Sequence, residues 1–240
     1  MTPIAAGKTY AYAPPPYPAH LVGHRRLPDG TNVILRPIHP DDDAIERDFI
    51  GGLSPDTRYN RLLSGRRLTP EEIRHLTRID YEREMAFVAV TLDGGQTRLL
   101  GVARYVRDAD AGGAEFAIVV ADAWQHKGVG TLLLDTLLRH AKSAGIGRLH
   151  GITLATNQPM QTLARKLGFV QTQDPQDATV RLVAKALTAE IAPEAVSVSA
   201  GNSNPAANDD SILAWVPQFP EQAATEVKRQ ATSAADGRAQ

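Results

Sequence analysis

A glycine turn set between two segments of opposite periodicity constrains this chain more than any other feature. Phe116-Ala117-Ile118-Val119-Val120 is a short apolar run of the kind that forms a buried strand, and Thr131 to His140 carries leucines along a helical segment. Between them stands Gln125-His126-Lys127-Gly128-Val129-Gly130. Strand, glycine turn and helix together present unpaired backbone N–H groups and the positive end of a helix dipole, an arrangement suited to phosphate. Glycine removes the Cβ where a pyrophosphate must approach the main chain, so an added Cβ at Gly128 or Gly130 is expected to clash with it. The competing reading is an ordinary strand-to-helix connection whose glycines serve tight packing. A Rossmann fingerprint is excluded because Leu133 stands where the third glycine belongs, and a Walker A loop because Lys127 precedes its glycine.

The surrounding pattern predicts a mixed α/β domain. Val33 to Arg36 reads as a strand ended by Pro37, and Asp41 to Gly51 as a helix opened by acidic residues. Ser54-Pro55 is an N-cap with a first-turn proline, starting a helix towards Leu63. Thr69-Pro70-Glu71-Glu72 repeats the signal with a capping box, for a helix towards Ile79. Met85–Leu92, Leu99–Val106 and Ala114–Val120, joined by Asp93-Gly94-Gly95 and Ala111-Gly112-Gly113, form an antiparallel meander. Helix Gly128–Ala144, strand Leu149–Ala155, helix Pro159–Leu167 and strand Thr179–Leu187 follow. The order gives a mostly antiparallel sheet with helices on both faces.

Gln-x-x-Gly-x-Gly after a strand resembles the acyl-CoA pyrophosphate loop of the GNAT N-acetyltransferase superfamily. A second segment, Thr156-Asn157 through Gly168-Phe169, resembles that superfamily's later strand end, Asn and short helix closed by Gly-Phe. Ile34 to Asp42, Leu53 to Tyr59 and Ile79 to Met85 are similar to the acetyltransferase domain of Pat-type bacterial protein-lysine acetyltransferases. The resemblance runs from about Tyr17 to about Leu187 and implies a GNAT-type sheet, acetyl-CoA as acyl donor and a protein lysine as acceptor. It implies that main-chain groups of Ile118, Val119 and Val120 pair with the pantetheine arm. It also implies that Gln125, His126, Lys127, Gly128, Val129, Gly130 and Thr131 form the pyrophosphate loop, and that Asn157 hydrogen-bonds the cofactor arm. Lys127 reads equally as a solvated surface lysine, and Asn157 equally as a turn residue.

Acyl transfer from a thioester to an amine requires a held donor, a polarised carbonyl, a neutral amine and a thiol that can leave. By resemblance, a backbone N–H near Val119 or Val120 polarises the carbonyl. A lysine with a solution pKa of about 10.4 is almost wholly protonated at neutral pH, so a general base has work to do. Glu115, amid Ala114, Phe116, Ala117 and Ile118, is expected to be partly desolvated and therefore more basic, and the matching acidic position is the base in Pat-type enzymes. Asp122 is the second candidate, expected chiefly to shape the turn before the loop. Ala164 occupies the position where many superfamily members carry a Tyr that protonates the leaving thiolate, so no phenol is available there. A coenzyme thiol with a pKa near that of cysteine, about 8.5, can leave as the thiolate and be protonated by water.

The remaining features exclude other classes. A net charge of −1 in 240 residues, with no basic stripe, disfavours nucleic acid. The chain has no Cys, which removes disulfides, thiol nucleophiles and thiolate metal sites, and its seven His form no HExxH pair, so no metal is expected. No apolar run is long enough to cross a bilayer and no signal-peptide core is present, so a cytoplasmic location is expected. The expected organisation is a Pro-rich disordered leader over 1–20, the acetyltransferase domain over 21–187, and a mostly disordered tail over 188–240. The tail's one apolar cluster is Ile212 to Pro217, and Glu221 to Lys228 is expected to form at most a transient helix. Two further readings stay open, a small-amine N-acetyltransferase and a non-catalytic acyl-CoA sensor, and a homo-oligomer is compatible with both.

Overall fold

The computed structural model describes residues 15–187 apart from 65, 110 and 111. Most of the leader and the whole tail, with its apolar cluster and helical stretch, lie outside the described residues. Among those described, the strands are β1 (Gly23–Arg26), β2 (Asn32–Pro37), β3 (Glu84–Asp93), β4 (Gln96–Arg107), β5 (Gly113–Val120), β6 (Arg148–Leu154), β7 (Val170–Gln173) and β8 (Val180–Ala186). They form one eight-stranded sheet in the order β1-β2-β3-β4-β5-β6-β8-β7. Each neighbouring pair is antiparallel except β5 and β6, which are parallel. The helices are α1 (Asp43–Gly52), α2 (Pro55–Leu62), α3 (Pro70–Thr77), α4 (Val129–Ser143) and α5 (Gln158–Lys166).

The capping signals form as read. The Ser54 hydroxyl accepts from Thr57 N, and Thr69 with Glu72 closes a reciprocal capping box at the start of α3. That helix stops at Thr77, and Ile79 packs as an isolated core residue rather than as a last helical turn. Asp42 caps the turn before α1 and pairs through both carboxylate oxygens with Arg36, at 2.7 Å each. Strands β1 and β7, not anticipated, are the two edges of the sheet. Residues at the end of the expected leader are folded: Tyr17 Oη donates to Pro37 O at 3.0 Å, and Ala19–Leu21 forms a 3₁₀ turn.

Two cores sit on opposite faces of the sheet. On one, α4 buries Val129, Leu133, Leu134, Leu137, Leu138 and Ala141, a stripe at helical spacing, against Phe87, Leu100, Ala103 and Tyr105. On the other, Phe49, Leu53 and Ile79 meet Ala86, Val88, Val102 and Val119. Strand β3 lies between these layers, which explains its seven successive buried residues from Glu84 to Val90.

Candidate functional site

The site begins where two neighbouring strands part. Strand β5 pairs with β6 only at Gly113–Arg148, Ala114–Leu149 and Glu115–His150, whereas it stays with β4 through to Val120. Beyond Glu115 its β6-side edge is therefore unpaired. Ala121 N donates to Leu100 O on β4, and alternation along a strand sends the Val119 amide to the same side. Ile118 and Val120 then turn their amides to the open edge. Of the two amides the sequence offered for carbonyl polarisation, only that of Val120 faces the gap.

Directly after this strand the chain makes a 3₁₀ turn at Asp122–Trp124, passes His126 at φ 61° and Gly128 at φ 94°, and enters α4. A left-handed φ explains a glycine at 128. Gly130 serves packing instead. A Cβ there would meet Leu163 Cδ2 at 3.3 Å and Val120 Cγ2 at 3.7 Å, so its open side faces the protein's own core and not the loop's outer surface. The first helical acceptor is Gly128 O, which receives Leu132 N, and no side chain caps the helix. The amides of Val129, Gly130 and Thr131 thus lack helical acceptors, at the positive end of a fifteen-residue helix. Lys127 Nζ lies 4.8 Å from the centre of the Trp124 ring, and Lys166 Nζ reaches Thr131 Oγ1 at 3.4 Å. Two cations thereby flank the loop.

Asp122 holds this loop to the opposite helical layer. Its carboxylate accepts from Ser54 N at 2.9 Å, Ser54 Oγ at 2.7 Å and Thr57 Oγ1 at 2.7 Å. Gln125 Nε2 donates to Thr57 Oγ1 and to Val120 O. Desolvation works against ionisation of Asp122, but the hydrogen bonds from Ser54 and Thr57 together outweigh it and keep the carboxyl below its ordinary range. Such a carboxylate is a poor proton acceptor. Asn157 caps α5 through Oδ1, which accepts from Met160 N at 3.1 Å. Ala164, on α5 itself, is fully buried in the core.

Glu115 differs from Asp122 in every respect that governs basicity. It faces the same side of the sheet as Ala117 and Val119, with Val106 beside it on β4 and His150 beside it on β6. Burial, reinforced by Asp108 and opposed by His150 and Arg61, raises its carboxyl to about 7. His150 Nε2 lies 3.0 Å from both oxygens of Asp108. On the same face a pocket is lined by Glu46 of α1, Arg58 and Arg61 of α2, Arg104 of β4, and Val102 with Val119. Burial raises Glu46 to about 7 as well, against the pull of Arg104 and Arg61. His150, Asp108, Glu46, Arg61 and Arg104 had not been singled out from the sequence. Among the described residues no group of three or more His, Cys, Asp or Glu could hold a metal ion, and no helix is long and apolar enough to cross a membrane.

This geometry has close parallels. Residues 56–169 match the model of the acetyltransferase (GNAT) family. Acetyltransferase PA5475 of Pseudomonas aeruginosa is 36% identical over 154 residues, covering 64% of this chain and 83% of that protein. Acetyltransferase Pat of Mycolicibacterium smegmatis is 33% identical over 139 residues, covering 57% of this chain but only 40% of the relative. The GNAT domain of S. lividans PAT superimposes with a TM-score of 0.65 at 27% identity, covering 71% of this chain and 99% of that domain. The parted strands, the uncapped helix that follows them and these relatives lead to one conclusion: the chain belongs to the GNAT family of acetyltransferases.

Proposed function

We propose that the protein moves an acetyl group from acetyl-CoA to a primary amine, a protein lysine, by direct attack with Glu115 as general base. The observation that carries this reading is the environment of Glu115. A half-buried carboxyl raised to about 7 is ionised in a large fraction of molecules at neutral pH, yet it is a far better proton acceptor than an ordinary glutamate. In this reading the free edge of β5 at Ile118 and Val120 pairs with the pantetheine arm. Gln125 to Thr131 receives the pyrophosphate on the free amides at the start of α4, with Lys127 and Lys166 adding charge. The Val120 N–H donates to the thioester oxygen as negative charge develops there. The amine nitrogen attacks the carbonyl carbon, Glu115 takes its proton, and the carbon–sulfur bond breaks with the electron pair leaving on sulfur. Water protonates the thiolate, since Ala164 supplies no acid. A protein lysine is the acceptor favoured by the resemblance of Ile34 to Asp42, Leu53 to Tyr59 and Ile79 to Met85 to Pat-type enzymes.

The test is mass spectrometry of a proteome incubated with the full chain and isotopically labelled acetyl-CoA. The expected result is labelled lysines on a restricted set of proteins, absent when Glu115→Gln replaces the wild type. Label confined to small amines would replace the acceptor. Intact acetyl-CoA binding with no transfer to any amine would favour a sensor.

A further inference from the structure

We infer that the donor site accepts a short acyl chain ending in a carboxylate, a dicarboxylic acyl thioester such as succinyl-CoA, whose terminal carboxylate meets Arg61 in the pocket beside Val119. This rests on reading the parted strands as an acyl-CoA site and extends that reading to the acyl group itself.

Position comes first. Val119 and Val102 are register partners on β5 and β4, and their side chains form the sheet wall of the pocket. Val119 immediately precedes Val120, whose amide faces the gap. A group attached to a thioester carbonyl at that amide therefore starts one residue from the wall of the pocket.

Charge comes second. The pocket is lined by three guanidinium groups, on Arg58, Arg61 and Arg104, and by one carboxylate, on Glu46. Arg104 is already engaged: it donates to Leu76 O at 2.6 Å and has Glu46 and Glu84 as charge partners. Arg61 makes no hydrogen bond or close ion pair with any described residue, although burial and the neighbouring Arg104 bring it down to about 10. The Glu46 Oε2 atom is buried without a partner among the described residues too. A half-buried guanidinium with unused donors is matched best by a carboxylate, which its planar fork can bind through two hydrogen bonds. Glu46 and Glu115 both face Arg61, but Glu46 is shared with Arg104 and Glu115 loses its charge when it takes the amine's proton, so neither can balance Arg61 throughout the reaction. The ligand's carboxylate can.

Chain length comes third. An acetyl methyl would touch only the apolar mouth at Val102 and Val119. One further methylene and a carboxylate carry a succinyl group past that wall towards Arg61. The transfer itself is unchanged: the amine nitrogen bonds to the thioester carbon, coenzyme A leaves as the thiolate, the proton goes to Glu115, and the terminal carboxylate is a spectator.

Calorimetry on the full chain with acetyl-CoA and succinyl-CoA needs no knowledge of the acceptor. Succinyl-CoA is expected to bind about tenfold or more tightly than acetyl-CoA, the worth of a charge-assisted hydrogen bond. Arg61→Gln should erase that advantage. Glu46→Gln, which removes the competing anion, should enlarge it, and this second variant decides the matter if Arg61→Gln does not fold. Acetyl-CoA binding with equal or weaker succinyl-CoA binding would overturn this inference and leave the proposed function standing. An advantage unaltered by both substitutions would overturn the role of Arg61. Failure of both thioesters to bind would overturn the proposed function and this inference together.

Discussion

The two faces of the sheet are built on different principles. The face under α4 is almost wholly hydrocarbon: Leu133, Leu134 and Leu137 have no exposure, and the Tyr105 hydroxyl is paired with His140 Nδ1 at 3.1 Å. The face under α1, α2 and α3 contains Glu46, Glu84 and Arg104 buried at its heart, with Arg61 and Glu115 alongside. Buried charges are a weak source of stability, because desolvation opposes nearly everything their attraction returns. In the proposed reading the first face holds the sheet rigid behind the donor and the second hosts the chemistry on the acceptor's side. Burial raises Glu46, Glu84 and Glu115 together, so this face holds proton-accepting carboxyls where the other holds hydrocarbon.

Substitutions on the two faces should therefore have opposite signatures. Glu115→Gln is expected to lower turnover by about 10²–10⁴ near neutral pH while leaving acetyl-CoA affinity nearly unchanged, since the pyrophosphate is held elsewhere. Parallel kinetics and calorimetry check this, and a matching loss of affinity would mean that Glu115 supports structure. Leu137→Ala on the other face should destabilise the fold by about 2–5 kcal/mol in denaturant unfolding. The surviving folded protein should keep its turnover per molecule. Gly128→Val, at the seam between the faces, forces a branched side chain into a left-handed backbone and against Pro28 Cδ, 3.1 Å from where its Cβ would stand. About 1–3 kcal/mol of strain is expected there, with acetyl-CoA binding weakened about tenfold or more as the loop amides turn away.

The smallest effect expected is a slope. The folded carboxyl of Glu46 lies near 7 against an ordinary 4.5, so the native state binds more protons than the unfolded chain between those values. Stability is then fullest below the ordinary carboxylate range and falls as pH rises through about 7. Glu46→Gln should flatten that fall in unfolding curves taken across the window, the remainder belonging to Glu115 and Glu84. An unchanged slope would remove Glu46 from the set of buried ionisable groups.

What was legible in the sequence follows from how locally each feature is encoded. The caps at Ser54 and Thr69, the leucine stripe of α4 and the turn at Gly128 are each written within a few consecutive residues. Glu115 was legible because its apolar neighbours on the strand announce its burial. Edge strands β1 and β7 were not, because their mostly exposed residues show no apolar alternation. The packing at Gly130 was not legible, since only the folded α5 brings Leu163 beside it. The Glu46, Arg61 and Arg104 cluster draws on α1, α2 and β4, and the His150–Asp108 pair on β6 and the end of β4. Residues so far apart along the chain become neighbours only when the sheet forms, and no local pattern marks them.

The central claim is that Glu115 takes the amine's proton, and the pH dependence of kcat tests it most directly. With a saturating amine acceptor and acetyl-CoA, the wild type should show turnover rising through an ascending limb centred near pH 7, as the Glu115 carboxyl ionises. Glu115→Gln should lose that limb, and its residual rate should instead climb steadily towards the pKa of the amine. A Glu115→Gln enzyme that keeps both the wild-type rate at neutral pH and the limb near 7 would contradict the account.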